Sequence, residues 1–426
     1  MIKGRVRSAS STGAFRMGGV RDVVYDSLSA RLGFKILLTT AVIVAMSLHS
    51  CSNPYRGVPA DIARLARRAV AGQEPQRAAE LHQMTECIDP RYREGMAYLL
   101  AYMPDDDLAR MDCDLISENI EYAYRARDTY EWCRNLPDEI FFNEVLPYYV
   151  ADEKRMSWRP QLFELTCGIT DAAADLRTAA DSMCSRIRSL SGVRYTNTLP
   201  KESLSPAETL ELGSGGSTAL AILMVSAFRS AGIPARLAGT PMWSDHDGHY
   251  SWAEVWIDGA WHFVDYFAKG IDDTWFLERA GQTEKSDPSH WIYAATYAPG
   301  KRHFPLAWNE SYRDLHAIDV TDRYIKEYKR AGLSKSDGTE VAVRMYGRQT
   351  NRPEADDRVA VKVRLMLGDS CVAQGVTASA ERDINDRLVF NVTDKGYYSI
   401  EWMRDTTAVR RVIRVDEEPL DVALFL

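Results

Sequence analysis

The sequence has few of the features that mark several protein classes. It contains 7 Cys in 426 residues, and no two of them form the close CxxC pair that is typical of zinc or redox sites. It has no excess of positive charge, because 52 Lys and Arg against 60 Asp and Glu leave a formal net charge of −8. Since there is also no basic helix or long lysine run, we expect no nucleic-acid partner.

The apolar run at residues 36–48 is shorter than the ~20 residues that a spanning helix needs. It follows Arg31 and Lys35, a pattern that is typical of a signal peptide, so we expect residues 1–50 to be a signal peptide with an N-terminal extension. The adjoining Leu48-His49-Ser50-Cys51 resembles the bacterial lipoprotein cleavage box, in which Cys51 would carry the lipid anchor. These features predict a lipid-anchored protein of the bacterial cell envelope, periplasmic or on the outer membrane. The alternative is an inner-membrane anchor.

The other six cysteines are spread along the chain. A protein of this size does not need disulfides to hold its core, so we expect mostly buried thiols. Cys167 and Cys184 lie upstream of the motif described below, but neither has a glycine-rich entry followed by a buried helix. We therefore exclude both as nucleophiles.

The length suggests two to four domains. Apolar stripes at helical spacing predict a helical N-terminal region over 51–158, without a fixed repeat period. Its aromatic end, 141–158, could line a cleft or pack between domains, and we favour packing. A core over 159–318 opens with two helices near 160–190. From about Asp319, alternating apolar residues predict a C-terminal β-sandwich over 319–426, in which no Cys, His or carboxylate cluster suggests catalysis.

The most distinctive stretch runs from Glu211 to Phe267. Gly213-Ser214-Gly215-Gly216-Ser217 should precede a helix that begins at Ser217, with Ser217 as a good N-cap, and ends before Gly232. Apolar residues on most sides of that helix predict that it is buried. Asp258-Gly259 between two runs rich in aromatic and β-branched residues is a strong hairpin signal. The tryptophans of the hairpin, Trp252, Trp256 and Trp261, are expected to pack on the sheet rather than to form a ligand platform.

Taken with "RSAGIPAR" at 229–236 and "SWAEVWIDGAWHFVDYF" at 251–267, this stretch resembles the transglutaminase-like superfamily, which has a papain-like fold. The resemblance implies an α+β core in which a buried helix packs on an antiparallel sheet. In that family a Cys attacks an amide, a His two residues before the first Trp activates it, and an Asp four residues after the second orients the His. The matching positions here are Ser217, Tyr250 and Asp265, so two of the three differ.

The two differences bear directly on chemistry. A thiol is a strong nucleophile even when partly deprotonated, whereas a Ser hydroxyl needs a base during attack. The nearest candidate is His249. A two-residue turn at Asp258-Gly259 would place Tyr250 on the face of Asp265 and turn His249 away, whereas a three-residue turn or a β-bulge would bring His249 round. The sequence leaves both open.

The loop that contains His249 also holds Asp245, His246 and Asp247, but their spacing matches no established metal site. We expect neither a metal nor a cofactor. Two functions follow from the resemblance. The favoured one is an exported protein with a degenerate triad that binds a peptide or glycan in the former active-site cleft. The alternative is an active acyl-transferase or amide hydrolase that uses Ser217 with His249 and Asp265.

Overall fold

Short paired helices build the first part of the molecule. The structure is a computed structural model that describes residues 53–245, 248–333, 337–349 and 355–426. The predicted signal peptide and the lipidation site Cys51 lie outside the described residues. Within the part that is described, residues 57–426 form one unit. The helices of the N-terminal region are α1 Ala60–Ala71, α2 Pro75–Cys87, α3 Arg93–Tyr102, α4 Asp105–Arg110, α5 Cys113–Thr129, α6 Glu131–Arg134 and α7 Asp138–Glu144.

These helices confirm the pattern predicted for the N-terminal region. The aromatic segment that follows is buried, with Tyr148, Tyr149 and Trp158 each at most 4% exposed. The indole of Trp158 donates to the carbonyl of Tyr148, and Arg159 donates to the carbonyls of residues 145–147. The segment therefore packs between the N-terminal helices and the core, which is the alternative that we favoured over a cleft lining.

A single buried helix organises the core. The next elements are helices α8 Arg159–Thr170, α9 Leu176–Ser191, α10 Pro206–Leu212, α11 Ser217–Ser230 and α12 Leu277–Gly281, with short strands β1 Arg194–Tyr195 and β2 Ser214–Gly215. Every residue of α11 after Ser217 is buried, and α11 packs against the sheet described next. The predicted helix start and burial are confirmed.

The sheet against which α11 packs has six strands. They are β3 Ala235–Thr240, β4 Tyr250–Ile257, β5 Ala260–Val264, β6 Tyr293–Thr296, β7 Arg302–His303 and β8 His316–Asp319. Their order is β5-β4-β3-β6-β8-β7, and all neighbouring pairs are antiparallel. Trp252 is 1% exposed and packs on Trp243, Phe276 and Tyr324, so this tryptophan serves sheet packing.

One prediction for the C-terminal region is wrong. Where alternation was expected to begin, near Asp319, the chain forms helix α13 Thr321–Arg330. Its two buried tyrosines, Tyr324 and Tyr328, are four residues apart and pack towards the core on one face of the helix, so the local spacing is helical and the alternation begins only after it.

A buried ionic network fastens α13 to the six-stranded sheet. Glu254 on β4 is fully buried, and one of its oxygens accepts hydrogen bonds from Arg236 at 2.8 Å. The other accepts from Arg323 and, at 2.7 Å, from the hydroxyl of Tyr324. The indole of Trp252 donates to that same hydroxyl at 2.6 Å. A buried carboxylate with several donors on two elements ties their positions together.

Two sheets follow α13. Their strands are β9 Thr339–Tyr346, β10 Lys362–Leu367, β11 Ser370–Val376, β12 Leu388–Val392, β13 Gly396–Arg404, β14 Thr407–Val415 and β15 Leu420–Phe425. One sheet has the order β11-β10-β13-β14 and the other β12-β9-β15. Both contribute to one apolar core, which includes Val343, Ile400 and Trp402. The α+β class and the β-rich C-terminal region are confirmed. In the residues described, no helix is long and apolar enough to span a membrane.

Candidate functional site

Ser217 is the first residue of the buried helix and remains partly exposed. The N-cap is Gly216, in an extended conformation with φ −79° and ψ 179°. The prediction that Ser217 caps the helix is therefore wrong, because the chain enters one residue earlier than a serine cap requires. A Cβ on Gly216 would come within 3.1 Å of the Leu199 side chain, so glycine suits this close approach. The hydroxyl of Ser217 therefore lies in the first turn of the helix, at the position that the resemblance matches with the nucleophile.

The hairpin register decides which side chain meets Asp265. Ile257 pairs with Ala260, and Asp258 and Gly259 both have positive φ, at 53° and 84°. This is a two-residue turn, and no bulge interrupts β4. Tyr250 therefore lies on the Asp265 face, and its hydroxyl donates to Asp265 Oδ1 at 3.1 Å. Of the two register alternatives, the one that turns His249 away is the one observed.

The side chains of Tyr250 and Asp265 are both buried, and burial raises the pKa of each. Burial, with the neighbouring Asp265 carboxyl, holds the pKa of the Tyr250 phenol well above its ordinary value. Burial also raises the pKa of Asp265 to about 6, although the backbone N–H of Phe267 and the Tyr250 hydroxyl donate to it. The indole of Trp275 donates to the Tyr250 oxygen at 3.4 Å. The phenol is thus a fixed hydrogen-bond donor to Asp265 and cannot serve as a base near neutral pH.

Ser217, Tyr250 and Asp265 converge on one point of the core. All three line a narrow cavity of about 10 Å³ between α11 and the β4–β5 hairpin. The family positions are therefore brought together as the resemblance implies, although the residues there are a hydroxyl, a phenol and a carboxyl.

His249 does not line the 10 Å³ cavity that Ser217, Tyr250 and Asp265 share. Its Nε2 is 3.7 Å from Glu202 Oε2, and its ring lies 5.3 Å from the Trp308 ring. This interaction with His249 is the main cause that lowers the pKa of Glu202. Ser217, His249 and Glu202 line a second cavity, of about 50 Å³. Among the described residues, no hydrogen bond joins the Ser217 and His249 side chains. Asp265 does not orient His249.

The C-terminal region contributes residues that sequence reasoning missed. Asp383, Ile384 and Asn385 complete the wall of the 50 Å³ cavity. Asp383 is 2% exposed, and burial raises its pKa to about 6. From the sequence we found no cluster in the C-terminal region that suggests catalysis, and we did not anticipate that Asp383 lines this cavity. The run Asp383-Ile384-Asn385-Asp386 has the composition of a turn, but nothing local indicates what it touches.

The described part of the chain holds no group of three or more His, Cys, Asp or Glu side chains that could bind a metal. His246 and Asp247 of the predicted polar loop lie outside the described residues. The six cysteines after Cys51 are all free. Only Cys133 and Cys184 are buried, so the expectation of mostly buried thiols is wrong. Burial raises the pKa of the Cys184 thiol, which agrees with its exclusion as a nucleophile.

Comparison with known proteins agrees with this geometry. Residues 164–266 match the model of the transglutaminase-like superfamily, a segment that includes Ser217, Tyr250 and Asp265. The predicted transglutaminase-like region is thus confirmed. No curated protein matches the chain significantly. Among solved structures, one match is a candidate cysteine protease from Cytophaga hutchinsonii, with 18% identity and a TM-score of 0.24. The match covers 28% of this chain and 42% of that protein, so the chain spans less than half of its length.

Proposed function

We propose that this protein is a non-catalytic transglutaminase-like protein that binds a peptide or glycan in the former active-site cleft. The observation that carries the proposal is the hydrogen bond from Tyr250 to Asp265. The phenol fills the position of the family base and occupies the carboxyl that would orient an imidazole. A serine at the nucleophile position is left without a hydrogen-bonded base among the described residues.

The loss of both reactive groups weakens catalysis more than either loss alone. A thiol can act with a modest base because its own pKa lies near 8.5, whereas a Ser hydroxyl depends on proton removal during attack. Members of a catalytic triad act as a unit, so a site without the base keeps little of the rate enhancement. The cleft of such a site is then free to serve binding.

Aromatic side chains beside the site suit a peptide or sugar. The rings of His249 and Trp308 lie side by side, and Trp308 donates its indole N–H to Asp152 at 3.0 Å. Aromatic faces bind the flat surfaces of peptide groups and sugar rings without requiring charge. The formal net charge of −8 also suits neutral partners better than polyanions.

The test pairs an activity assay with a binding assay on the full mature chain. We expect no release of ammonia from a glutamine-containing peptide and no peptide cleavage. We expect calorimetry to detect binding to members of a panel of peptides and envelope oligosaccharides. Ser217→Trp, which fills the cavity, should abolish that binding, whereas Ser286→Trp, on an exposed loop, should not. Binding that survives Ser217→Trp would contradict the proposal.

A second candidate function rests on the 50 Å³ cavity. Ser217, His249 and Glu202 all line this cavity, and His249 already lies 3.7 Å from Glu202. A small movement of the His249 side chain would let it accept from the Ser217 hydroxyl while it donates to Glu202. Under this alternative the protein is a serine acyl-transferase or amide hydrolase, with Glu202 in place of Asp265 as the orienting group. Wild-type turnover that disappears in both His249→Ala and Ser217→Ala would favour it over the binding function.

Location is a separate proposal. We place the protein in the bacterial cell envelope, anchored by a lipid on Cys51, on the strength of the leader-like sequence alone. The Cys51→Ala variant should incorporate no labelled fatty acid when cells are fed the label. Cys87→Ala, at an exposed cysteine, should incorporate as much as the wild type. Label in the Cys51→Ala protein would overturn the lipoprotein assignment.

A further inference from the structure

A loop of the C-terminal region lies across the Ser217 site. Residues 377–387, here called the cover loop, connect β11 to β12. Asp383, Ile384 and Asn385 in its centre face Ser217 and His249 across the 50 Å³ cavity. The cover loop is therefore the outer wall of the site that the core alone would leave open.

The cover loop touches three separate segments that surround the site. Asn385 Nδ2 donates to the carbonyl of His249 at 3.2 Å, at the entry to β4. The backbone N–H of Ile384 donates to the Tyr195 hydroxyl at 3.0 Å. Arg382 Nη1 donates to the carbonyl of Phe267 at 3.4 Å, just beyond Asp265. These contacts span the mouth of the cleft from one side to the other.

The cover loop keeps its own shape through internal contacts. Asp383 Oδ1 accepts from the backbone N–H of Asn385 at 2.8 Å and from its side-chain amide at 2.9 Å. Arg358, which lies between β9 and β10, donates to the carbonyl of Asp383 at 3.1 Å. The carbonyl oxygen of Arg382 accepts from the same guanidinium. Because this scaffold belongs to the C-terminal region, the cover loop can separate from the core without losing its fold.

The cover loop is held on the core mainly by polar contacts. Besides the three hydrogen bonds above, Arg387 forms an ion pair with Asp245 at 3.5 Å, and the Arg382 guanidinium lies 5.2 Å from the centroid of the Phe267 ring. A further ion pair, between Glu381 and Arg188, lies at the exposed margin. Segments held by few apolar contacts open at a much smaller free-energy cost than the core does.

The size of the closed site shows why opening matters. Pockets that hold organic ligands usually measure roughly 300–1,000 Å³. The two cavities at Ser217 measure about 10 and 50 Å³, enough for little more than water. Any peptide or glycan must therefore displace part of the wall, and the cover loop is a part of that wall held mainly by polar contacts.

We infer that the cover loop is an intramolecular lid, through which the C-terminal β region controls access to the Ser217 cleft. This inference rests on the proposed binding function for its purpose, but its test does not require a ligand. The loop closes the empty cleft, and its displacement admits the bound polymer. Asn385, which joins the loop to His249, is the residue whose loss should open the lid most directly.

The test measures access to position 217 with a thiol probe. Ser217→Cys is alkylated with iodoacetamide or with a bulky polyethylene-glycol maleimide, and labelling is read at the residue-217 peptide by mass spectrometry. Reading that peptide alone removes the signal of the six native cysteines. The same measurement is made after adding Asn385→Ala or, as a second opening variant, Arg382→Ala. Asn391→Ala, at an exposed position on β12, is the matched control.

With the lid intact, the bulky reagent should label Cys at 217 far more slowly than iodoacetamide does. Loss of the part-buried hydrogen bond to His249 should raise the rate for the bulky reagent by about tenfold in the Asn385→Ala background. Asn391→Ala should leave it unchanged. Equal, rapid labelling by both reagents with the loop unaltered would overturn the lid, as would rates that neither opening variant changes. A lid that opens as expected in a protein that binds no polymer would refute the proposed function alone.

Discussion

Stability should fall as pH rises through the range in which two buried carboxyls titrate. Asp265 and Asp383 are both almost fully buried, and burial raises the pKa of each from 3.8 to about 6. Between those two values the folded protein holds a proton that the unfolded chain has released. The stabilisation is therefore complete below about pH 4 and is lost as pH rises towards the folded pKa.

The size of the effect follows from the two pKa values. A shift of one unit corresponds to about 1.4 kcal/mol, so a shift of about two units at Asp265 costs roughly 3 kcal/mol of unfolding free energy between about pH 4 and pH 7. Asp383 contributes a similar amount, and because the Asp383 charge also raises the pKa of Asp265, the two effects are not additive.

The measurement compares urea unfolding of the wild type with that of Asp265→Asn and Asp383→Asn at pH 4, 5, 6 and 7. Asparagine keeps an acceptor oxygen but carries no charge at any of these pH values. From pH 4 to pH 7, the unfolding free energy of each variant should rise relative to that of the wild type by roughly 3 kcal/mol. Asp105→Asn, at an exposed position, should not gain. If the difference between wild type and Asp265→Asn is the same at all four pH values, the burial argument for this site is refuted.

Three further predictions concern chemistry and packing. The double variant Ser217→Cys with Tyr250→His should contain a thiol whose pH-dependent alkylation shows a pKa well below ~8.5. Ser217→Cys alone should show no such lowering, because only the double variant sets an imidazole between the thiol and Asp265. Glu254→Gln should lower the unfolding free energy by roughly 3–5 kcal/mol, because it weakens the binding of buried Arg236 and of half-buried Arg323, and Glu327→Gln in an exposed pair should lower it by less than ~1 kcal/mol. Gly281→Ala should destabilise the fold by roughly 1–3 kcal/mol or more, since its Cβ would meet Tyr328 Cβ at 2.1 Å. Gly168→Ala, which has open space around it in α8, should stabilise the fold by up to about 1 kcal/mol. Urea unfolding checks both packing predictions, and equal effects of Gly281→Ala and Gly168→Ala would contradict the second.

Local patterns predicted the elements of the core well. The glycine-rich entry, the apolar surface of α11 and the Asp-Gly turn each act through neighbours close in sequence, so their conformations follow from local sterics and burial. The same reasoning stated both possible registers at Tyr250 and what each would mean. It could not choose between them, because a bulge depends on how β4 meets its neighbours as well as on its own residues.

Local patterns failed where distant contacts decided the outcome. Helix α13 carries Tyr324 and Tyr328 at helical spacing, a local signal that the strand assignment missed, but its position depends on Tyr324 and Arg323, which reach Glu254 from 70 and 69 residues away. Serine at 217 favours an N-cap in isolation, but the helix begins at Ser217 itself, and Gly216, which lies close to Leu199, is the N-cap.

The sequence by itself determined the resemblance to the transglutaminase-like core and the presence of Ser217, Tyr250 and Asp265 in the matching motif, because those are properties of residue type and short-range spacing. Only the tertiary structure decided that Tyr250 donates to Asp265, that His249 faces Glu202, and that Asp383 closes the cavity at Ser217. Asp383 lies 166 positions after Ser217, and no periodicity or turn signal can encode a meeting across that distance. Such a meeting depends on how two regions pack, which is a property of their whole surfaces.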